Sequence, residues 1–300
     1  MEVEAHQNSA QALTDQVLRR TGWAEDVTTL WPALTLHRRV RPTPEAPCLY
    51  QPNVTVVLSG QKRVVLAVEQ FLMTPGHFLL TSANLPVTPQ IVEASPNHPF
   101  LAVMLMLDLN ALAAFLLNHD LPAPSKRPSQ RAIALGATSP ELLDAFRRLV
   151  ALLDTPGDLP VLAPLIEQEI LYRLLCTPQG ERLRDMAAAS GHSHRLSRAL
   201  RWLERHFRDP LNITDLAEHV GMSPSAFHRL FKDITAMSPL QYQKTLRLSE
   251  AQRLMLTQDM DAARAAFEVG YVSPSQFSRE YRRQFGVSPI SHVATLRETD

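Results

Sequence analysis

Two short stretches of the chain carry hydrogen-bonding side chains at matching positions. The first is MSPSAFHRLFKDITAMSP, residues 222–239, and the second is VSPSQFSREYRRQFGVSP, residues 272–289. Read as helices, each places aromatic side chains on one face and Ser, His, Gln or Arg side chains on the other. Arg bonds bidentately to guanine, Gln bonds to adenine, and Ser or His reaches a base edge or a phosphate. This set of side chains therefore suits a helix that lies in the major groove of DNA.

The two stretches are in register at an offset of fifty residues, Ser223 matching Ser273, and each follows a Val-Gly pair. A repeat of this length predicts one supersecondary element used twice, which we interpret as two helix-turn-helix units. In each copy Ser is a fitting N-cap and Pro occupies the first helical position. The second copy has one extra residue before its Ser-Pro, so the two turns are expected to differ.

The outward faces of these two helices differ in composition. The first presents Ser225, His228, Arg229 and Lys232, and the second presents Ser275, Gln276, Arg279 and Arg283. Lys232, Arg282 and Arg283 are the better candidates for phosphate contacts, which set position rather than sequence. Any exposed amphipathic helix has polar residues outside, but two copies with matched caps favour a binding role. Acidic neighbours, Asp233 and Glu280, are expected to dilute the basic charge.

Composition restricts the broad class of the protein. A length of 300 residues with 45% hydrophobic content predicts two soluble domains. The formal net charge is zero, which argues against a protein that holds nucleic acid by a generally basic surface. Cys48 and Cys176 are too few for a disulfide framework or a zinc site. The N-terminus lacks the pattern of a signal peptide, and no apolar run is long enough to span a membrane. These features favour a cytoplasmic protein.

The N-terminal half changes from a helix to strands and back to helices. A helix is predicted up to about residue 22, followed by strand-like runs at 54–60, 62–73, 77–82, 87–95 and 100–108. Such short runs, separated by turn residues, predict a β-sandwich or barrel, with several strands buried on both faces. Helices follow within 139–176, the first capped by Ser139 and carrying an apolar stripe. They could cover the sheet or form a dimer interface.

Two other classes of protein were considered. A cupin-type metal dioxygenase needs an HxH motif and a Glu on neighbouring strands, but the β region holds only the single histidines His37, His77 and His98. The HxH pair His192 and His194 lies in a polar segment without nearby carboxylates, which favours linker histidines over a metal site. No nucleophile elbow or phosphate-binding glycine loop is present. We therefore predict no enzyme, no metal and no cofactor. The other alternative is a DNA-associated protein that binds no ligand.

The segment from about residue 196 to 296 resembles the DNA-binding domain of the AraC/XylS family of bacterial transcription regulators. The resemblance rests on LAEHVGMSPSAFHRLFKDITAMSPLQYQKTLRLSEAQRLM and VGYVSPSQFSREYRRQFGVSP. The N-terminal half resembles the sensor region of one branch of that family, through LYQPNVTVVLSGQKRVVL, TSANLPVTPQIVEASPNHPFLAVMLMLD and VLAPLIEQEILYRLLCTPQGERL. Together these segments cover nearly the whole chain.

The resemblance implies an α+β protein with a cupin-like β-barrel, flanking helices and an all-α domain of seven helices. The implied division is a sensor and dimerisation domain (1–180), a linker (181–195) and a double helix-turn-helix domain (196–300). Two recognition helices would enter successive major-groove segments of double-stranded DNA, roughly 34 Å apart. The base-reading positions fall on Ser225, His228, Arg229, Ser275, Gln276 and Arg279.

The resemblance further implies a small-molecule effector, a homodimer formed through helices 139–176, and RNA polymerase as a further candidate partner. The positions chosen to test the dimer are Leu142, Leu149, Ile166 and Leu174. A barrel can enclose a small molecule, and its predicted apolar lining is Val56, Leu58, Val65, Phe71, Phe78, Leu80, Val103 and Leu105. Cys48 and Cys176 are candidate sensors of oxidants or electrophiles, although a free Cys is more often an inert buried residue.

Overall fold

The computed structural model describes residues 2–22, 24–119, 131–187 and 192–297. The chain divides into two compact units, one made of Met1–Ala46 and Tyr50–His194, the other of Arg195–Asp300 with Pro47–Leu49. The predicted linker 181–195 is partly helical, because a helix spans Gly180–Ala187 and another begins at His192. Residues 188–191 of that linker lie outside the described ranges. The proposed domain bounds stay a prediction.

The first unit opens with the predicted N-terminal helix and continues into strands. Helix α1 spans Glu2–Thr21. The strands are β1 (Asp26–Thr28), β2 (Leu34–Arg39), β3 (Cys48–Tyr50), β4 (Asn53–Ser59), β5 (Gln61–Leu66), β6 (Glu69–Met73), β7 (His77–Thr81), β8 (Leu85–Glu93), β9 (Phe100–Met106) and β10 (Ile133–Ala137). The helices are α2 (Leu109–Asn118), α3 (Pro140–Ala151), α4 (Leu159–Leu175) and α5 (Gly180–Ala187). Every strand-like run in the sequence corresponds to at least one strand.

The strands form two sheets. Six of them lie in the order β1-β2-β9-β4-β7-β10, and four lie in the order β3-β8-β5-β6. In the described part of the chain no strand pairing joins one sheet to the other, so the closed cupin-like barrel that we expected is not found. Each sheet keeps two edge strands, and the six-stranded sheet ends on one side in β1, which has only three residues. The structure is a mixed α/β unit with two open sheets.

The run Lys62–Met73 forms a hairpin rather than one strand. β5 pairs antiparallel with β6, Leu66 lying opposite Glu69. The turn between them is made by Ala67, which has a φ of 55°, and by the exposed Val68. Tight hairpin turns are usually recognised by an Asn-Gly or Asp-Gly pair, but this turn is Ala-Val. The sequence therefore gives no sign that the chain reverses here.

Helices α1 and α3 cover one face of the six-stranded sheet. The shared core includes Leu13 and Val17 of α1 and the apolar stripe of α3. In that stripe, Phe146 and Leu149 are fully buried. Ser139 caps α3 by accepting a hydrogen bond from the Leu142 amide, and Pro140 stands at its first turn, as predicted. α3 therefore packs inside this unit.

Both faces of the central strands are buried. In β4 the helix-facing Val54 and Val56 alternate with Thr55 and Val57, which are also buried. The four-stranded sheet also has buried positions, such as Val64. The prediction that several strands are buried on both faces is confirmed by β4 and β9.

In the second unit, the described residues from Arg195 onward form helices joined by turns. Its helices are α6 (His192–His206), α7 (Ile213–His219), α8 (Pro224–Thr235), α9 (Pro239–Thr257), α10 (Ala262–Glu268), α11 (Pro274–Phe285) and α12 (Pro289–Arg297). These are the seven helices that the resemblance implied. In the described ranges, no helix of either unit combines the length and the apolar content needed to cross a bilayer.

Candidate nucleic-acid interface

Helix α8 is formed by a local sequence code. Gly221 takes a φ of +70° in the turn after α7, and the hydroxyl of Ser223 then accepts a hydrogen bond from the Ala226 amide, 3.4 Å away. Pro224 fits the first helical position, where no backbone N–H is required. The helix ends after twelve residues at Ala236, whose φ of 62° lies in the left-handed region.

Two buried aromatic rings anchor α8. Phe227 and Phe231 are completely buried and contact each other edge to face, with ring centroids 5.6 Å apart. Phe231 also packs against Tyr242 of α9 in the same way, at 5.5 Å. Burying two such rings fixes the rotation of the helix about its axis, since turning it would expose them to water. The opposite face must then point to solvent.

The predicted reading positions of α8 lie on that solvent face. Ser225, His228 and Arg229 are all exposed, and so is Lys232 one turn further on. Among the described residues, no hydrogen bond or ion pair engages the guanidinium of Arg229. A donor that is exposed and unpaired can meet a base edge without first breaking an internal contact.

Helix α11 repeats the construction of α8 with the same length and the same caps. The hydroxyl of Ser273 accepts from the Gln276 amide at 3.4 Å, and the helix ends at Gly286 with a φ of 77°. Phe277 and Tyr281 are completely buried, with centroids 5.5 Å apart. As in α8, this burial turns one face outward. That face carries the exposed residues Ser275, Arg279, Arg282 and Arg283.

The extra residue of the second copy is now located in the turn. The amide of Tyr271 bonds to the carbonyl of Ala266, just as the amide of Met222 bonds to that of Ala217. Tyr271 therefore takes the place of Met222, and Val272 is the added residue, 89% exposed. The prediction that the two turns differ is confirmed by this arrangement.

One predicted reading residue, Gln276, is less free than the others. It is half-buried, and its Nε2 donates to the carboxylate of Glu280 over 3.3 Å. Glu280 also binds the hydroxyl of Tyr271 and the ammonium of Lys244. The sequence analysis treated Glu280 only as a diluting charge. Its spacing of four residues from Gln276 was the signal that could have indicated this contact.

The long helix α9 ties the second helix-turn-helix to the end of α6. Ser238 and Gln241 form a capping box at its start. Further along, the Arg247 guanidinium donates to the carbonyls of Phe207, Arg208 and Asp209, which follow α6, and to Gly270 in the second turn. One side chain therefore holds three segments together.

In the first unit, the eight predicted pocket residues lie in two places. Six of them belong to or pack against the core between the six-stranded sheet and the helices: Val56, Leu58, Phe78, Leu80, Val103 and Leu105. The other two lie in the four-stranded sheet. There Phe71 pairs with Val64 and shares its face, whereas Val65 points to the opposite face. The predicted lining thus divides between this core and the two faces of the four-stranded sheet, and its role stays a prediction.

The positions chosen to test a dimer are also core positions. Leu142, Leu149 and Leu174 are at most 1% exposed and Ile166 is 9% exposed, all within the core of the first unit. The apolar residues of α4 that reach solvent are different ones: Val161 (66% exposed), Leu162, Leu165 (57%) and Tyr172. Of the two alternatives for these helices, the buried stripe fits packing within the unit, because an amphipathic helix turns its apolar stripe toward a core.

A groove of about 540 Å³ lies between α3 and α4. It is lined by Arg148, Ala151, Leu152, Thr155, Leu162, Leu165, Ile166 and Glu169. Arg148 and Glu169 form an ion pair of 2.5 Å at this groove, and Asp144 binds the same guanidinium. The groove is therefore apolar, with a polar edge whose charges are already paired.

The remaining candidate residues are scattered. Cys48 is half-buried at the start of β3, and Cys176 is exposed at the end of α4. The side chains of His192 and His194 lie outside the part that the structure describes. Within that part, no group of three or more His, Cys, Asp or Glu side chains is arranged to hold a metal ion.

Comparison with known proteins identifies relatives of both units. Residues 31–182 match the family model of the AraC-type transcriptional regulator N-terminus, and residues 216–293 match that of a helix-turn-helix domain. The chain is 28% identical over 243 residues to the transcriptional regulator ExsA of Pseudomonas aeruginosa, covering 79% of this chain and 84% of that protein. It is 31% identical over 148 residues to the transcriptional activator RhaS of Citrobacter koseri, covering 49% of this chain and 52% of RhaS.

A solved structure has a similar fold. The fatty-acid-bound ToxT of Vibrio cholerae superposes with a TM-score of 0.56 at 9% identity, covering 90% of this chain and 95% of that chain. At this identity the likeness concerns the fold alone.

Proposed function

The chain belongs to the AraC family of transcriptional regulators, and from this we propose that α8 and α11 read successive major-groove segments of one DNA site. The family makes the protein a DNA-binding transcription regulator. The observation that supports the assignment of the two helices is their matched construction. Each has twelve residues, a Ser-Pro start, two fully buried rings and at least one exposed arginine on the opposite face.

The proposed base contacts come from the exposed or half-exposed polar residues of the two helices. These are Ser225, His228 and Arg229 of α8, and Ser275, Gln276 and Arg279 of α11. Lys232, Arg282 and Arg283 are proposed to bind phosphates, because they lie toward the C-terminal half of their helices and carry unspecific positive charge.

The test starts by selecting bound DNA from a random pool to obtain a site. Arg229→Ala and Arg279→Ala should each weaken binding to that site by about 1–3 kcal/mol and relax the preference at one base position. Arg201→Ala, which removes an exposed arginine from α6, is the matched control and should leave base preference intact. Unchanged titrations for both recognition-helix variants would contradict the assignment.

We further propose that the first unit binds a small organic effector. Support comes from the family of this unit and from its fold, which resembles that of ToxT. The ToxT structure has an unsaturated fatty acid bound to ToxT. A thermal-shift screen of small metabolites, including an unsaturated fatty acid, should raise the unfolding temperature of residues 1–180. A response only in the piece containing residues 196–300 would contradict this proposal.

We also propose a homodimer formed through α3 and α4, with contacts from the exposed side of α4. Leu165→Glu places a charge on that exposed side and should shift the chain toward a monomer in analytical ultracentrifugation. Leu72→Glu is the matched control, because Leu72 is similarly exposed, at 50%, but lies on β6. An unchanged sedimentation profile for Leu165→Glu would contradict this interface.

The remaining expectations follow from a regulator that acts on chromosomal DNA. We propose that the protein works in the cytoplasm, catalyses no reaction and meets RNA polymerase at the promoter. The family supports this reading, since its named relatives are regulators of transcription. Cys48 and Cys176 remain candidate sensors, to be tested by comparing DNA binding of Cys→Ser variants before and after mild oxidation.

A further inference from the structure

The second recognition helix carries a nearly buried carboxylate beneath one of its reading residues. The side chain of Glu280 is only 11% exposed. Its Oε1 accepts from Lys244 Nζ at 2.8 Å and from Gln276 Nε2 at 3.3 Å, and its Oε2 accepts from the Tyr271 hydroxyl at 2.9 Å. Three donors from α9, from the turn and from α11 itself therefore converge on one carboxylate.

The carboxylate is charged at neutral pH. Burial by itself would raise the pKa of Glu280, but the hydrogen bonds from Lys244, Tyr271 and Gln276 lower it below its ordinary value. Burial, together with Glu280, raises the pKa of Tyr271, so that its phenol keeps its proton and donates it. An ionised carboxylate has no proton to give and acts only as an acceptor.

This charge determines which way the amide of Gln276 points. The two ends of a Gln amide differ, one donating through Nε2 and the other accepting through Oε1. Only Nε2 can face an ionised carboxylate, because a reversed amide would place two acceptors against each other. Among the described residues, no donor reaches Oε1 of Gln276. The carbonyl end is therefore the one available to a ligand.

We propose that Glu280 is a positioning residue for base specificity: by holding Nε2 of Gln276, it makes the carbonyl Oε1 the group that this residue offers to DNA. In the major groove, only adenine N6 and cytosine N4 present donors to such an acceptor, whereas guanine O6 and thymine O4 are acceptors. The second helix then selects adenine or cytosine at one position. This inference rests on the proposed function of Gln276 as a base-reading residue.

The first helix-turn-helix has no corresponding device. At the matching positions stand Leu230 in place of Glu280, Ala226 in place of Gln276 and Met222 in place of Tyr271. All three positions therefore differ between the two copies. They hold apolar residues in the first copy and polar residues in the second. The substitution Glu280→Leu therefore introduces the residue that α8 already has at the equivalent position.

The experiment measures preference among four bases rather than affinity alone. Selection from a random pool supplies a site, and Gln276→Ala identifies the position at which the wild-type preference disappears. Four duplexes that differ only at that position are then titrated by fluorescence anisotropy. The wild type should favour adenine or cytosine over guanine or thymine by about 10-fold.

Glu280→Gln, which keeps the shape, and Glu280→Leu should both reduce this ratio to about 2-fold or less, since the amide of Gln276 is then free to reverse. Glu250→Gln makes the same substitution at a carboxylate of α9 that pairs with Arg253 and has no contact with Gln276, and its ratio should stay at the wild-type value. Thermal unfolding of each variant establishes that it is folded. If Glu280→Leu does not fold, Glu280→Gln decides.

Two outcomes overturn the inference, and they can be told apart. If Gln276→Ala removes the preference while both Glu280 variants keep it, Glu280 does not orient the amide, and the base-reading role of Gln276 stands. If Gln276→Ala leaves all four ratios unchanged, the role of Gln276 fails and the inference fails with it. A loss of the ratio in Glu250→Gln equal to that in Glu280→Gln also overturns the inference, because it assigns the effect to general loosening.

Discussion

The two turn glycines, Gly221 and Gly270, provide a matched pair of perturbations. Both follow a valine at the end of a short helix and both have positive φ, +70° and +89° respectively. They differ in what a methyl group would meet. A Cβ at Gly221 has no atom within 4 Å, whereas a Cβ at Gly270 would lie 2.1 Å from the carbonyl oxygen of Arg208. An alanine at either position would therefore strain the backbone, but only an alanine at Gly270 would also clash with a neighbouring atom.

The expected magnitudes follow from this difference. Gly221→Ala should lower the free energy of unfolding by about 1 kcal/mol, the cost of a left-handed conformation for a residue with a Cβ. Gly270→Ala pays the same cost and must also displace the backbone at Arg208, for which overpacking adds about 1–3 kcal/mol. The Arg208 carbonyl accepts from Arg247 at 3.0 Å, so the displacement also weakens that bond. We expect a total of about 3 kcal/mol.

Hydrogen exchange read by mass spectrometry is the suitable assay, because it reports on the second unit without requiring the whole chain to unfold as one. Peptides from α6, α9 and α11 should lose protection in Gly270→Ala and much less in Gly221→Ala. DNA affinity of the two variants supplies a second readout. Equal losses of protection would refute the reasoning, since they would mean that the contact with Arg208 carries no cost.

Two further outcomes concern the same unit. Arg247→Met, which removes four hydrogen bonds to carbonyls but keeps much of the aliphatic side chain, should destabilise the unit by about 2 kcal/mol in urea titrations; a midpoint equal to that of the wild type would contradict this. Burial lowers the pKa of His292, which contacts the Tyr281 hydroxyl at 3.1 Å. Because the unfolded chain then binds protons more readily, the unit should lose stability as pH falls below about 6.5. His292→Gln should remove that loss when urea midpoints at about pH 7.5 and about pH 5.5 are compared, and an undiminished pH dependence would count against it.

The recognition helices could be predicted because their code is local. A Ser that caps, a Pro at the first position and aromatics at helical spacing act within one or two turns of chain. Their outward residues then follow from helical geometry, and seven of the eight predicted outward residues are exposed. The exception, Gln276, bonds to Glu280, whose other partners Lys244 and Tyr271 lie outside α11. The burial of Glu280 could not be read from α11 alone.

The first unit was harder to predict because several of its strands are buried on both faces. Alternation distinguishes an inner from an outer face only when one face is wet, so Val56 and Val57 look alike in the sequence. The predicted pocket consequently combined side chains from different faces. Whether a sheet closes depends on hydrogen bonds between strands far apart in the chain, such as β10 and β7. Short strands such as β1 and β3 leave too few residues for a pattern.

The exchange of apolar for polar residues between the two helix-turn-helix units has a consequence for how the protein could change its target. In the first helix-turn-helix, Ala226 and Leu230 contribute packing only, so a neighbouring residue proposed to read bases, such as His228, can be replaced alone. In the second, a new residue in place of Gln276 would leave the carboxylate of Glu280 without one donor, and a useful change must alter both together. Single mutations can therefore retune the first half of the site, whereas the second half requires paired ones. If α8 reads DNA as proposed, variation among descendants of this protein should accumulate in the outward residues of α8.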